Sequence, residues 1–198
     1  VAIRTNPFSI VGYATNLKGA QMAKIGLFYD TDTGNTRKVA KMISKLFDDG
    51  DVELKSVTKL ETSDFDNYSA FIIGTPTLGE GELPENWAEF MPQLDSISLQ
   101  GKTVAMFGLG DQQDYGHEFV DGLGLLYEKL ESIGASFVGG WPTEGYEYDF
   151  SAAEIDDQFV GLVIDQDNQS DLTADRVTSW VEQVKPALLA AADSAQAA

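Results

Sequence analysis

Short apolar runs alternate with stretches of helical periodicity along most of this chain, and that alternation constrains the fold more than any other feature. Ile25-Gly26-Leu27-Phe28-Tyr29 is a continuous apolar run of the kind buried on both faces of a sheet. Residues 36–47 then place Val39, Ala40, Ile43 and Phe47 on one helical face. Residues 51–57 read as a more polar, edge-like strand, and 68–74 and 102–108 as a third and fourth strand. Between them, 85–94 carry Trp87, Phe90 and Met91 at the spacing of a short helix. Residues 119–133 predict a helix with Leu123, Leu126, Tyr127 and Leu130 inward. A fifth strand begins at 135–140, an irregular aromatic stretch fills 141–158, and 159–164 form another strand run. A helix over 173–189 closes the pattern, with Val177, Trp180, Val181 and Val184 inward. Alternating strands and helices predict a doubly wound parallel sheet wrapped on both faces. The 198 residues suffice for one such domain and not comfortably for two.

Composition narrows the chemistry. With 32 acidic against 13 basic residues the net charge is −19, which argues against nucleic acid and anionic membranes as partners. No apolar run reaches the roughly 18–20 residues of a membrane span. The absence of Cys excludes disulfides, thiolate metal sites and cysteine-held iron–sulfur clusters, and a single His excludes zinc sites of the two- and three-histidine kind and argues against a catalytic triad. All of the acidic residues follow Met22, whereas residues 1–22 carry only Arg4 and Lys18. Three segments are therefore expected: an extension of unassigned origin at 1–22, one domain at 23–189, and a tail at 190–198 that continues the last helix briefly and frays.

In a doubly wound sheet, ligands sit beyond the carboxyl ends of the strands. Three expected strand ends carry unusual loops. Thr31-Asp32-Thr33-Gly34-Asn35-Thr36 leads straight into a helix and offers hydroxyls, an amide, a Gly and free N–H groups, which suits a phosphate ester. It has no Lys, so it is not a Walker loop. Ordinary helix capping would use the same residues. Thr75-Pro76-Thr77-Leu78-Gly79-Glu80-Gly81 has two Gly flanking an acid, which lets backbone approach a flat ligand. Gly108-Leu109-Gly110-Asp111-Gln112-Gln113-Asp114-Tyr115 offers Asp111 to a ring N–H and Tyr115 to an aromatic plane.

At these loops the chain resembles the long-chain flavodoxins, over residues 23–189. The resemblance implies a five-stranded parallel sheet of order 2-1-3-4-5, with strand five split by an insertion at 141–158. It implies non-covalent binding of FMN and a low-potential one-electron carrier, working between the semiquinone and hydroquinone forms, with no catalysis of its own. Thr31, Asp32, Thr33, Gly34, Asn35 and Thr36 then form the phosphate loop. Thr75, Pro76, Thr77, Leu78 and Gly79 form the second loop, with Leu78 on the inner face of the flavin and the Gly79–Glu80 peptide near N5. Gly108, Leu109, Gly110 and Asp111 form the third, with Asp111 toward the pyrimidine ring and Tyr115 stacked outside. Asp167 is expected at the ribityl chain.

The expected partners are redox proteins with basic docking faces, such as ferredoxin–NADP reductase, photosystem I, pyruvate oxidoreductase or nitrogenase. A monomer is expected, in the cytoplasm, or in the plastid stroma should residues 1–22 be a targeting remnant. Asp30 departs from the family pattern, where Gly or Ser is expected. A carboxylate ~7 Å from the phosphate would cost about 2 kcal/mol per unit charge at an effective dielectric of ~20, so either Asp30 points elsewhere, takes up a proton, or FMN binds less tightly than usual. Two other readings are an FMN-dependent reductase using a nicotinamide substrate and a phospho-accepting receiver domain. The latter lacks the phosphorylatable Asp after strand three and the Lys after strand five.

Overall fold

A computed structural model describes residues 24–196; the expected 1–22 extension, residue 23 and the final two tail residues lie outside the described residues. Strands and helices follow the alternation of the sequence. The chain first lays down β1 (Ile25–Tyr29), β2 (Val52–Ser56), β3 (Ala70–Pro76), β4 (Thr103–Leu109) and β5 (Ser136–Val138). Three very short strands follow, β6 (Trp141–Pro142), β7 (Glu154–Ile155) and β8 (Gln158–Phe159), and then β9 (Leu162–Ile164). The α-helices are α1 (Asn35–Ser44), α2 (Glu85–Phe90), α3 (Asp121–Ser132) and α4 (Thr173–Gln196). The main sheet has the order β2-β1-β3-β4-β5, with β9 also against β4, and every pairing in it is parallel.

Residues of β5 face Thr103, Val104 and Ala105, while residues of β9 face Phe107, Gly108 and Leu109. Two short segments thus continue one another along β4, and the fifth strand is split as expected. The run 159–164 is broken, however, because Gly161 passes so close to Met106 that a Cβ there would overlap the Met106 carbonyl. Only 162–164 join the main sheet, while Phe159 belongs to a small antiparallel sheet.

Period-two alternation assigns each strand's side chains to two cores. Phe28, Phe71, Ile73, Val104, Met106 and Val163 face one side, under α2 and α3. Ile25, Leu27, Ile72, Ala105, Phe107, Leu162 and Ile164 face the other, under α1 and α4. Trp87 and Trp180 are fully buried, one on each side, and each indole N–H donates to a backbone carbonyl, of Gly74 at 3.1 Å and Gly139 at 2.8 Å. Burial of such a ring stabilises by roughly a few kcal/mol, provided its N–H is satisfied.

Element boundaries differ from the sequence reading where local chemistry intervenes. The expected helix over 85–94 is α-helical only to Phe90 and continues as a 3-10 segment, Met91–Ser96, with Pro92 in its first turn. The closing helix runs past residue 189 as far as Gln196. The stretch 141–158 is ordered: β6, β8 and β7 form a three-stranded antiparallel sheet. The β7–β8 turn holds Asp156 and Asp157 at positive φ, the conformation of a two-residue hairpin loop. Aromatic rings bind this small sheet to the segment leading into α3, with Phe119 5.3 Å from Tyr148 and 6.0 Å from Phe159 between ring centroids.

Candidate functional site

A cavity of about 300 Å³ opens at the carboxyl ends of β1, β3 and β4. Its lining draws on all three expected loops: Asp32, Thr33, Asn35 and Thr36 from the first; Pro76, Thr77, Leu78 and Gly79 from the second; Leu109, Gly110, Asp111 and Tyr115 from the third. Asp167 lines it as well. Four expected site residues do not. Thr31, Gly34, Thr75 and Gly108 stand behind the wall. Thr31 Oγ1 accepts the Gly34 amide at 3.0 Å and shapes the first loop from within. Thr75 is fully buried, with its hydroxyl donated to the Pro76 carbonyl at 2.8 Å, and Gly108 lies inside β4 against Leu123.

The first loop delivers a bare helix start. Gly34 occupies the cap position of α1 at φ +92°, a conformation open to Gly, and no side chain caps the helix. The first-turn amides of α1 therefore have no intrahelical partner, and no acidic residue sits in that turn. With Thr33 and Thr36 alongside, this end suits an anion such as a phosphate ester.

The second loop is a tight turn closed on itself. Leu78 and Glu82 exchange two backbone hydrogen bonds, 2.9 and 2.7 Å long. Gly79 sits at φ +50° within it, and the Glu82 carboxylate folds back to accept the Glu80 amide at 3.2 Å. That carboxylate occupies the space a side chain at Gly79 would need. Thr77 serves a second element: its Oγ1 accepts the Gly122 amide at 3.1 Å, in the first turn of α3.

The third loop is a turn built on a carboxylate. Asp111 Oδ1 accepts the amides of Gln113 and Asp114, both at 3.0 Å, and the Asn168 side chain at 2.7 Å. Burial pushes the Asp111 carboxyl upward, but the donors from Asp114, Asn168 and Gln113 outweigh it and hold it below its ordinary value. Asp167 moves the other way. Burial, then the charges of Asp111, Asp165 and Asp114, raise its carboxyl above the usual range. Tyr115 leaves about half of its surface exposed at 52%.

Asp30 is shared between the first loop and the start of α2. It is 1% exposed; its Oδ1 accepts the Thr31 amide at 2.8 Å and the Asn86 side chain at 3.1 Å, and its Oδ2 accepts the Trp87 amide at 3.3 Å. Pro84, at the cap position of α2, offers no side-chain acceptor, so Asp30 caps that helix from the end of β1.

Three cavity residues escape the sequence reading: Glu118, Val120 and Gln166. Gln166 follows the end of β9, so the strand-end rule points to it. Val120 carries no local signal; it is fully buried at φ +54°, a strained conformation for a β-branched residue, directly before α3.

Among the described residues no cluster of His, Asp or Glu has metal-holding geometry, and no helix is long and apolar enough to cross a membrane. The flavodoxin family model matches residues 27–180. A flavodoxin of Klebsiella pneumoniae is 48% identical, over 85% of this chain and the whole of that protein. One from Synechocystis is 47% identical, over 84% of this chain and 99% of its own. The crystal structure of Fusobacterium nucleatum flavodoxin bound to flavin mononucleotide superposes with a TM-score of 0.79 at 31% identity, covering 83% of this chain and 98% of that one.

Proposed function

Since the chain belongs to the flavodoxin family, we propose that it binds FMN in the cavity at the strand ends and carries electrons one at a time between redox proteins, without turning over a substrate of its own. The observation that carries this reading is the convergence of three loops on one cavity, with an uncapped helix start at one end and a half-exposed aromatic ring among its lining residues. The residues fit the group. An anion-binding helix end suits the phosphate, and Tyr115, Leu78 and Val120 provide an aromatic and apolar lining for a flat ring. When bound, the isoalloxazine supplies chemistry that accepts and releases single electrons.

The chain's own residues do the rest. The amides of α1's first turn, with Thr33, Asn35 and Thr36, hold the phosphate. Leu78 and Val120 exclude water from the ring, and Tyr115 covers it while leaving part of its own surface to solvent. Asp111 and Asp167, with Asp165 and Asp114 behind them, disfavour added negative charge in the cavity and so lower the potential. The Gly79–Glu80 peptide can turn over because Gly79 already stands at positive φ, and the Glu82 carboxylate opposes that turn. The net charge of −19 favours encounter with partners that present basic faces.

Stepwise reduction of the purified, FMN-loaded chain, followed by its absorption spectrum, tests the reading. A yellow protein reduced in two separable one-electron stages is expected. A polypeptide that remains colourless with riboflavin 5′-phosphate supplied would overturn it, and turnover of NADPH by the chain alone would favour a reductase.

A further inference from the structure

We propose that Asp30 sets how strongly this chain prefers a phosphorylated flavin over an unphosphorylated one. The inference rests on the FMN reading of the cavity and adds a determinant of its selectivity.

Three observations carry it. Asp30 directly precedes the loop whose uncapped helix start suits the phosphate. Its Oδ1 takes the Thr31 amide at 2.8 Å, so one N–H at the mouth of that loop is spent within the protein and is withheld from an anion. Its carboxylate is buried at 1% exposure, and among the described residues no Lys, Arg or His forms an ion pair with it. A phosphate monoester carries about −1.5 to −2 charges near neutral pH. A buried, unneutralised carboxylate behind its binding loop repels that charge through a medium that screens poorly. Unphosphorylated riboflavin places no such charge there and escapes that repulsion.

The same carboxylate has a structural task, which accounts for its presence. It caps α2 through the Trp87 amide and holds Asn86, tying the second loop's exit to the end of β1. Asn86 in turn lends the carboxylate one of its three hydrogen-bond donors and so tempers its charge. The two residues therefore act on phosphate preference with opposite signs.

The test titrates the flavin-free full-length chain with FMN and, separately, with riboflavin, following quenching of flavin fluorescence. In Asp30→Asn the ratio of riboflavin to FMN dissociation constants should rise roughly tenfold, while the riboflavin constant moves by less than about threefold. In Asn86→Ala, which leaves the carboxylate in place with one donor fewer, the ratio should fall. Ratios unchanged in both variants, or both flavins weakened equally, would overturn the proposal. Should Asp30→Asn fail to fold by near-ultraviolet circular dichroism, the direction of change in Asn86→Ala decides. Failure of the natural chain to bind either flavin would instead overturn the FMN reading itself.

Discussion

Gln112 donates both its backbone and its side-chain amide to the buried carboxylate of Asp165, at 3.1 and 2.7 Å. Its own side-chain carbonyl accepts the Glu147 amide at 2.6 Å. Asp165 also takes the amides of Asp167 and Asn168 and the Asn168 side chain. One fully buried acid therefore fastens the third loop, the segment after β9 and, through Gln112, the region of the small antiparallel sheet.

Removing this acid leaves several buried N–H groups without an acceptor. Asp165→Ala should cost about 3 kcal/mol or more of folding stability, and Gln112→Ala about 2 kcal/mol. Urea denaturation of the FMN-free chain measures both, and FMN affinity should fall in each because two walls of the cavity loosen.

Tyr115 gives the opposite pattern. Half-exposed at 52% and free of core packing, it should contribute almost nothing to the stability of the flavin-free chain. Tyr115→Leu should nonetheless weaken FMN by roughly 0.5–1.5 kcal/mol, about a twofold to thirteenfold rise in the dissociation constant. Fluorescence titration alongside thermal denaturation separates the two effects.

At Gly79 a side chain meets both a strained φ and the Glu82 carboxylate. Gly79→Val should shift the potential for the first electron and shrink the separation between the two reduction stages. Glu82→Gln, which removes the charge that opposes peptide turning, should widen it. A spectroscopic titration with both profiles unchanged would count against a moving peptide.

The raised Asp167 and depressed Asp111 carboxyls have opposite linkage to pH. Asp111 stabilises the fold above its unfolded value, and that contribution disappears as pH falls through its lowered folded value. Asp167, with a raised folded value, costs the fold nothing in acid, where it is protonated in both states, and works against it as pH rises from the ordinary carboxyl range through that value. Asp167→Asn should therefore stabilise the chain at neutral pH, with no gain in acid below the ordinary carboxyl range. Exposure and salt keep the effect small, and denaturation across a pH series reads its sign.

Electron-transfer rates to a partner with a basic face should fall as salt rises at low ionic strength, because the −19 charge steers encounter over about a Debye length. Stopped-flow measurements at several salt concentrations give the slope, and a flat profile would rule out steering.

Much of this architecture is legible in local signals. The run 25–29, the helical spacing after it and the loop between them each act over a few residues, and the three loops sit at strand ends as the pattern requires. The helix over 85–94 is shorter than its apolar spacing suggests because Pro92 tightens the last turns. The small sheet within 141–158 stays hidden in sequence because two-residue strands carry no periodicity.

The sequence alone determined the order of elements, the two-sided core and the rim at which a ligand would bind, because periodicity and loop chemistry are short-range. It does not show where the buried acids turn. Asp30 meets Trp87 across 57 residues and Asp165 meets Gln112 across 53, contacts that exist only once strand order has brought those ends together. The tertiary structure made that decision, since a carboxylate taken out of water must find N–H donors wherever packing leaves them.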